Sequence, residues 1–136
     1  MKLHATQTQQ YQTVTGYEDD WIEINAMRFE DSLLVLPELA PKPWPVTSFE
    51  SLQPAHFDAV ADTNPDLVIL GTGERQRFVP PRLLSALMSR RIGLECMDNR
   101  AACRTYNILM AEGRKVALAL ILPGKASRRY RSNLTL

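Results

Sequence analysis

Apolar residues change their spacing along the chain, and the change separates two parts. In the first part, the alternating stretch Trp21–Asn25 and the apolar run Leu33–Leu36 predict antiparallel strands with one buried face. We also expect a strand over Tyr11–Thr15 and a turn over Gly16–Asp20, which complete an N-terminal β-hairpin. The segment Pro41–Pro45 holds three prolines without an amide donor, so it is expected to be a stiff connector outside the sheet.

The second part, from Leu67 onward, alternates strands with helices. The apolar run Val116–Leu122 has the continuous hydrophobicity of a strand that is covered on both faces. Helices are expected from Pro81 to Arg90 and from Asp98 to about Glu112, because Pro81 suits a first turn and Gly113 suits a left-handed C-cap. Further expectations are a helix over Pro54–Ala61, a strand over Ile92–Cys96, and core positions at Leu83, Leu84, Leu87 and Met88.

These elements predict a single α/β domain over residues 1–136, a length that suffices to bury one continuous core. Residues 1–10 are expected to form a frayed lead-in and residues 124–136 a basic tail. No apolar run approaches the roughly 18 residues that a membrane span requires, and residues 1–10 contain no signal-like apolar stretch. We therefore expect a cytoplasmic protein with no membrane span.

The composition gives little support to metal, disulfide or cofactor chemistry. The chain has two cysteines, Cys96 and Cys103, and two histidines, His4 and His56, which lie far from them in sequence. This spacing does not resemble a zinc-ligand set, and without a secretory signal no disulfide framework is expected. We expect neither a metal site nor a cofactor.

Charge is distributed unevenly, although the net charge is only +1. Residues 1–66 carry three basic against eleven acidic residues, whereas residues 67–136 carry thirteen basic against four acidic residues. Either the two halves face each other within the fold, or the protein presents two oppositely charged surfaces. A basic surface would accelerate the encounter with an acidic partner. Nucleic acid is not expected, because no interleaved aromatic residues form a stacking platform.

The most distinctive motif is the run Pro65–Arg77, where an apolar strand stops at two glycines and an arginine-bearing loop follows. Because ligands of open α/β sheets gather at the carboxyl ends of strands, we expect a site here. The glycines either present backbone amides to an anion or simply permit a tight turn. The arginines either point together at a carboxylate or phosphate or stay solvated. The candidate residues of this loop are Gly71, Thr72, Gly73, Arg75 and Arg77.

Three further candidates lie in the first half of the expected helix from Asp98 to about Glu112. They are Asp98, Cys103 and Arg104. Asp98 is either a general base or the N-cap of the helix, the commoner role of an aspartate at such a position. Cys103 lies beside Arg104, whose charge would lower the pKa of an exposed thiol, whereas a buried cysteine would be inert. No histidine lies nearby in sequence to complete a nucleophile and base pair.

The same helix carries two opposed stripes. The polar stripe is either a solvated face or a basic strip that contacts an acidic partner or an anion, and the opposite stripe is expected to face the core. The polar stripe consists of Arg100, Arg104, Asn107 and Arg114, and the expected core stripe of Ala102, Thr105, Ile108 and Leu109.

Several stretches together resemble a family of small uncharacterised Mth-type domains, which includes the mitochondrial complex I assembly factor 3 and the adipogenesis-associated Mth-domain protein. The stretches are Pro65–Arg77, Gly93–Asp98, Ala101–Asn107 and Glu112–Ala117, with weaker similarity at Ser32–Val35 and Trp44. The resemblance implies a three-layer α/β fold around a mixed β-sheet, and it supplies no catalytic residue. Asn99 departs from the pattern, which has a small hydroxyl residue there. Since the N-terminus carries no targeting segment, a bacterial member is expected.

The resemblance favours a non-catalytic protein-interaction or complex-assembly domain, which would hold its partner by charge-assisted hydrogen bonds from the loop and the arginine stripe. The alternative is a binding protein or enzyme that takes a small anionic metabolite at Gly71–Arg77, with Asp98 or Cys103 nearby. A third hypothesis, thiol redox activity, requires Cys103 to be accessible. Because one fold hosts many functions, the geometry of the loop has to discriminate among these hypotheses.

Overall fold

The N-terminal part of the chain folds into a small antiparallel sheet. The computed structural model describes residues 10–124, so the predicted lead-in and basic tail lie outside the described residues apart from Gln10 and Gly124. The sheet is a meander of β1 (Val14–Glu18), β2 (Trp21–Ile24) and β3 (Met27–Phe29). The predicted N-terminal hairpin is therefore present and continues into a third strand.

The first turn of the meander lies later than the sequence predicts. Gly16 pairs with Glu23 and Tyr17 with Ile22, so both residues belong to β1, and the turn falls at Asp19 and Asp20. A glycine inside a strand does not end it when the ladder continues on both sides, which is why the expected turn over Gly16–Asp20 was too long.

The second sheet has five strands in the order β5-β4-β8-β6-β7 and is mixed, as predicted. β6 runs parallel to both β7 and β8, whereas β4 runs antiparallel to β8 and β5. Every residue of β4 and β8 is buried, because layers cover both faces of these central strands. The strands are β4 (Leu33–Leu36), β5 (Leu39–Pro43), β6 (Leu67–Gly71), β7 (Gly93–Met97) and β8 (Val116–Leu120).

The proline segment is not a connector outside the sheet, and this prediction was wrong. β5 pairs with β4 and places Pro43 opposite Leu33. The Trp44 amide donates to the Ser32 carbonyl oxygen at 3.0 Å, so the alternate backbone positions that contain Pro41 and Pro43 face away from β4. Proline is tolerated at such positions on an edge strand, since no ladder hydrogen bond is lost there.

Helices cover the two faces of the larger sheet, which gives three layers. α1 (Pro54–Ala61) and α2 (Ser85–Ser89) lie on one face with two short 3-10 turns. The expected single helix from Pro81 to Arg90 is broken at Leu84, where φ is −106° and ψ is 13°. Because of this break Met88 does not join the core and is 64% exposed.

α3 (Asn99–Ala111) and the meander cover the opposite face of the sheet. Asp98 caps the helix, since its carboxylate accepts the Ala101 amide at 2.9 Å. Gly113 ends it with φ of +85°. The Gly113 amide donates to Met110 and the Arg114 amide to Leu109, which forms a Schellman motif. Both predicted ends of this helix are confirmed.

The core face of α3 lies elsewhere than the sequence predicts. Ala102 is buried as expected, but Ile108 is 53% exposed and Thr105 and Leu109 are only partly buried. At about 100° per residue, the buried positions form one ordinary stripe that is displaced from the predicted one, and this stripe packs in the cluster formed with the sheet and β1. Those positions are Ala102, Cys103, Tyr106 and Met110.

The core consists of two clusters, one on each face of the five-stranded sheet. Neighbouring residues of one strand enter different clusters: Leu34 packs toward α1 and α2, whereas Val35 packs toward α3 and the meander. Val68 and Ile69 of β6 divide in the same way. The loop after β6 therefore begins at the middle layer and can reach both outer layers.

Candidate functional site

The loop that follows β6 is held by the side chain of Thr72, which is 5% exposed. The Thr72 amide donates to the Met97 carbonyl oxygen at 2.8 Å. Its hydroxyl lies 2.7 Å from the Arg75 carbonyl oxygen and accepts the Arg77 amide at 3.1 Å. One buried hydroxyl thus closes the loop on itself and onto β7.

Asn99 holds the other side of the loop, in the first turn of α3. Its Oδ1 accepts the Gly73 amide at 3.0 Å, and its Nδ2 donates to the Ile121 carbonyl oxygen at 3.0 Å. Its own amide donates to the Gly73 carbonyl oxygen at 2.8 Å. A Cβ on Gly71 would lie 2.5 Å from Asn99 Oδ1, so this approach requires glycine at position 71. Asn99 thus joins the loop, α3 and the end of β8.

The hydrogen bonds of the glycines bear directly on the anion hypothesis. The Thr72 and Gly73 amides already donate to Met97 and Asn99. An anion would have to displace these partners before the two amides could bind it. In this arrangement, the glycines serve a tight turn and a close approach.

Arg77 is committed to the neighbouring layer. Its guanidinium lies 2.8 Å from Glu50 Oε2 and stacks over the ring of Phe49, with 4.1 Å between the guanidinium carbon and the ring centroid. The hydrogen bond from Arg77 lowers the pKa of Glu50 below its usual value of 4.5, and the charge of Arg75 adds to this effect. Arg75 is exposed, whereas Arg77 is half-buried against Phe49 and Glu50.

Phe78 directly follows these arginines and is 80% exposed. Its neighbour Val79 is buried in the core that faces α1 and α2, so the chain is fixed immediately beyond the aromatic ring. Phe78 was not among the residues predicted for the site. The sequence signal for it is an aromatic residue that directly follows a polar, arginine-bearing loop.

The candidate residues for chemistry have structural roles here. Asp98 is engaged as the N-cap of α3. Cys103 is 1% exposed, and its burial raises the pKa of the thiol to about 12. Arg104 is exposed, on a different side of the helix from the buried thiol, so it does not activate Cys103. The hypothesis of thiol redox activity required an accessible thiol at this position.

The proposed arginine stripe is divided along α3. Arg100 lies over the ring of Tyr17 in β1, with 5.6 Å from the guanidinium carbon to the ring centroid, and Arg104 is solvent-exposed. Asn107 does not belong to the stripe, since its side chain hydrogen bonds to the backbone of β1. Arg114 lies beyond the helix, at the opposite end of the sheet from the Gly71–Arg77 loop.

Some of the opposite charges of the two halves of the chain pair with each other within the fold. The ion pairs between described residues are Arg77 with Glu50 at 2.8 Å and Arg90 with Asp62 at 3.0 Å. Each joins a basic residue of the second half to an acidic residue of the first. Arg104, by contrast, forms no ion pair within residues 10–124.

A cleft that was not predicted from the sequence lies at the end of the five-stranded sheet opposite the Gly71–Arg77 loop. It has a volume of about 660 Å³ and lies where β6 and β8 begin. Its walls come from the β4–β5 turn, the α1–β6 connection, the α3–β8 turn and Tyr11. We call it the basal cleft. No local sequence signal marks it, because four separate segments contribute to it.

Within residues 10–124, no three potential ligand side chains of His, Cys, Asp or Glu come together to hold a metal ion. The helices in that range are too short or too polar to cross a bilayer.

The fold and the loop define a small three-layer α/β domain in which Phe78, the most exposed aromatic residue between positions 10 and 124, follows a loop that is hydrogen bonded on both sides. The chain belongs to the family described as "Protein of unknown function (DUF498/DUF598)", which matches residues 14–121. The resemblance found in the sequence is confirmed, and the predicted fold class is confirmed with it.

Solved structures of two Bordetella proteins share the fold. A crystal structure from Bordetella parapertussis matches with a TM-score of 0.80 and 38% identity, over 85% of this chain and 98% of that one. A solution structure from Bordetella pertussis, described as a Mth938-like domain, matches with a TM-score of 0.74 and 33% identity, over 83% and 87% of the two chains.

Curated relatives include a protein named "NADH dehydrogenase [ubiquinone] 1 alpha subcomplex assembly factor 3" from Bos taurus. It is 30% identical over 112 residues, which is 81% of this chain and 60% of the relative. The "13 kDa major membrane protein" of Francisella tularensis is 30% identical over 76 residues, which is 56% of this chain and 62% of the relative. The chain thus spans about three fifths of the length of these relatives.

Proposed function

We propose that this protein is a non-catalytic interaction domain that takes part in assembling a protein complex, and that it acts in the cytoplasm. The observation that carries the proposal is Phe78, which is 80% exposed beside a loop whose backbone Thr72 and Asn99 hold in place. An aromatic ring on a rigid support is a typical interface anchor, because it buries a large apolar area at a small entropic cost.

Exposed arginines suit an acidic partner. Arg75 lies in the loop and Arg104 on α3, which covers the other face of the sheet, and their guanidinium groups offer forked donors to carboxylates. A partner with an apolar pocket that accepts the Phe78 ring, and with acidic residues around that pocket, would match both features. The relative named as an assembly factor supports this class of function by analogy.

The proposal is tested by affinity capture of the tagged protein from the organism that encodes it. Phe78→Ser and the double variant Arg75→Glu/Arg104→Glu are compared with Met88→Ser, a matched change at an exposed residue of α2. We expect a defined set of proteins to co-purify with wild type and with Met88→Ser, and to be depleted at least about tenfold by Phe78→Ser. Capture that is equal for all variants, or that yields nothing above the tag alone, would refute the proposal.

A thermal-shift titration with inorganic phosphate tests the alternative of a small anion at the loop. Saturation at a hundred times the dissociation constant would add about 2.7 kcal/mol to the free energy of unfolding. We expect no such stabilisation. A gain that Arg75→Ala/Arg77→Ala abolishes would favour the anion hypothesis over the interaction hypothesis.

A further inference from the structure

The basal cleft is large enough for a ligand and lies apart from the interaction surface proposed above. Its volume of about 660 Å³ falls within the range of roughly 300–1,000 Å³ that is typical of small-molecule sites. It opens where β6 and β8 begin, at the paired residues Leu67 and Val116, whereas the Gly71–Arg77 loop leaves the far end of β6. The two sites are therefore separated by the length of the sheet.

The surface of the cleft is mostly apolar, although Thr63 and Asn64 also line it. Leu36, Met110 and Val116 line it with side chains that are at most 8% exposed. Leu39 and Tyr11 line it as well and are 51% and 37% exposed, so they present apolar surface to a guest rather than to the protein core. Hydrocarbon placed against these residues would be removed from water.

The rim of the cleft is predominantly basic. Arg114 and Lys115 both line it and are exposed, and neither forms an ion pair with another described residue. Glu38 is the acidic residue among the lining side chains. The rim thus offers two cationic groups against one carboxylate, which favours an anionic group at the mouth.

The backbone that carries this rim is already ordered. The Asp66 amide donates to the Lys115 carbonyl oxygen at 2.8 Å, and the Schellman motif at Gly113 fixes the preceding turn. The Gln12 amide donates to the Pro37 carbonyl oxygen at 2.9 Å, which places Tyr11 beside the β4–β5 turn. A guest would therefore meet walls that need little reorganisation, which lowers the entropic cost of binding.

We propose that the basal cleft binds an anionic amphiphile, specifically an unbranched acyl chain that ends in a carboxylate. The hydrocarbon lies against Leu36, Leu39 and Met110, and the carboxylate lies at the rim between Arg114 and Lys115. The apolar residues of the cleft bind the acyl chain. The two cations at the rim favour a carboxylate over a neutral end group.

The proposal is tested by titrating decanoate into the ¹⁵N-labelled full chain and following its amide resonances. We expect saturable shifts that cluster at Leu39, Gly113 and Lys115. Octanoate is expected to bind more weakly, by up to about fourfold for each methylene removed. The neutral probe 1-decanol is expected to bind more weakly than decanoate, because it lacks the charge that the rim selects.

The variant Arg114→Gln/Lys115→Gln separates head recognition from chain recognition. We expect it to weaken decanoate by about tenfold and to leave 1-decanol within about twofold, since the alcohol makes no ion pair. The matched control is Arg82→Gln/Arg104→Gln, which removes two exposed cations that do not line the cleft and should leave decanoate affinity unchanged. Leu39→Ser should weaken both probes.

Three results would overturn the proposal. These are shifts that cluster away from the cleft or fail to saturate, equal affinity of wild type for decanoate and 1-decanol, and equal loss of decanoate affinity in the two double variants. All substituted side chains are exposed, so each variant is expected to fold. The dispersion of the amide resonances in the same spectra checks this.

Discussion

Asn107 of α3 and Val14 of β1 are joined by two hydrogen bonds of 2.9 Å each. The Val14 amide donates to Asn107 Oδ1, and Asn107 Nδ2 donates to the Val14 carbonyl oxygen. The side-chain amide thus pairs with an edge-strand residue as a neighbouring strand would, and it attaches the meander to the rest of the fold.

Replacement of Asn107 by alanine is expected to lower the free energy of unfolding by about 2 kcal/mol, because both backbone groups of Val14 lose their partner in a partly buried place. Chemical denaturation measures the change. Arg104→Ala, on the exposed face of the same helix, should stay within about 0.5 kcal/mol of wild type. Equal stability of the two variants would show that the pair contributes nothing.

Gly71→Ala is expected to destabilise the protein by roughly 1–3 kcal/mol, since the new Cβ would lie 2.5 Å from both Asn99 Oδ1 and Leu120 Cδ1. Gly16→Ala is the matched control, because its Cβ would find its nearest neighbour at 3.5 Å. Thermal unfolding compares the two. In the background Asn99→Ala, the cost of Gly71→Ala should shrink, and an unchanged cost would contradict the proposed contact.

The thiol of Cys103 is expected to resist labelling at pH 8. Burial raises its pKa from 9.0 to about 12, so the reactive thiolate fraction falls by about a thousandfold at this pH. The measurement follows a thiol reagent on Cys96→Ser, in which Cys103 is the remaining cysteine of the chain. We expect reaction only as fast as the protein opens, and rapid reaction in denaturant. Fast labelling of the folded protein would revive the redox hypothesis.

Glu50 is expected to titrate below pH 4.5, because Arg77 donates a hydrogen bond to its carboxylate. A carboxyl group whose pKa is lowered by folding stabilises the native state above its unfolded pKa and loses this effect as pH falls through the folded pKa. Carbon-detected NMR of the side chain follows the titration. Arg77→Gln should move the midpoint upward, whereas Arg104→Gln should not. An unmoved midpoint in Arg77→Gln would rule out this pair as the cause.

Local signals predicted the parts of the fold that depend on neighbouring residues. Asp98 and Gly113 marked the ends of α3 because capping involves atoms only a few residues apart. The continuous hydrophobicity of β8 predicted burial on both faces. The loop after β6 was also found, since a strand that ends in two glycines is a local pattern.

Contacts between distant segments could not be predicted in the same way. The pairing of Pro43 with Leu33 depends on which edge of the strand faces solvent, and this becomes known only when the sheet order is known. The bond from Asn107 to Val14 spans 93 positions, so helical periodicity alone placed this asparagine on the polar stripe of the helix. The basal cleft could not be predicted for the same reason, since its walls come from four separate segments.

The central place of β8 determines when the sheet can form during synthesis. β8 lies between β4 and β6. Leu33 therefore cannot pair with Leu120, nor Leu67 with Val116, before β8 has been synthesised. Until the ribosome has released residues 116–120, the apolar edges of β4 and β6 have no central strand to join them. Contacts of such long sequence separation slow folding, and until β8 is present β4 and β6 each keep one unpaired edge. The strand order therefore leaves the larger sheet as two separate strand pairs until β8 has been synthesised.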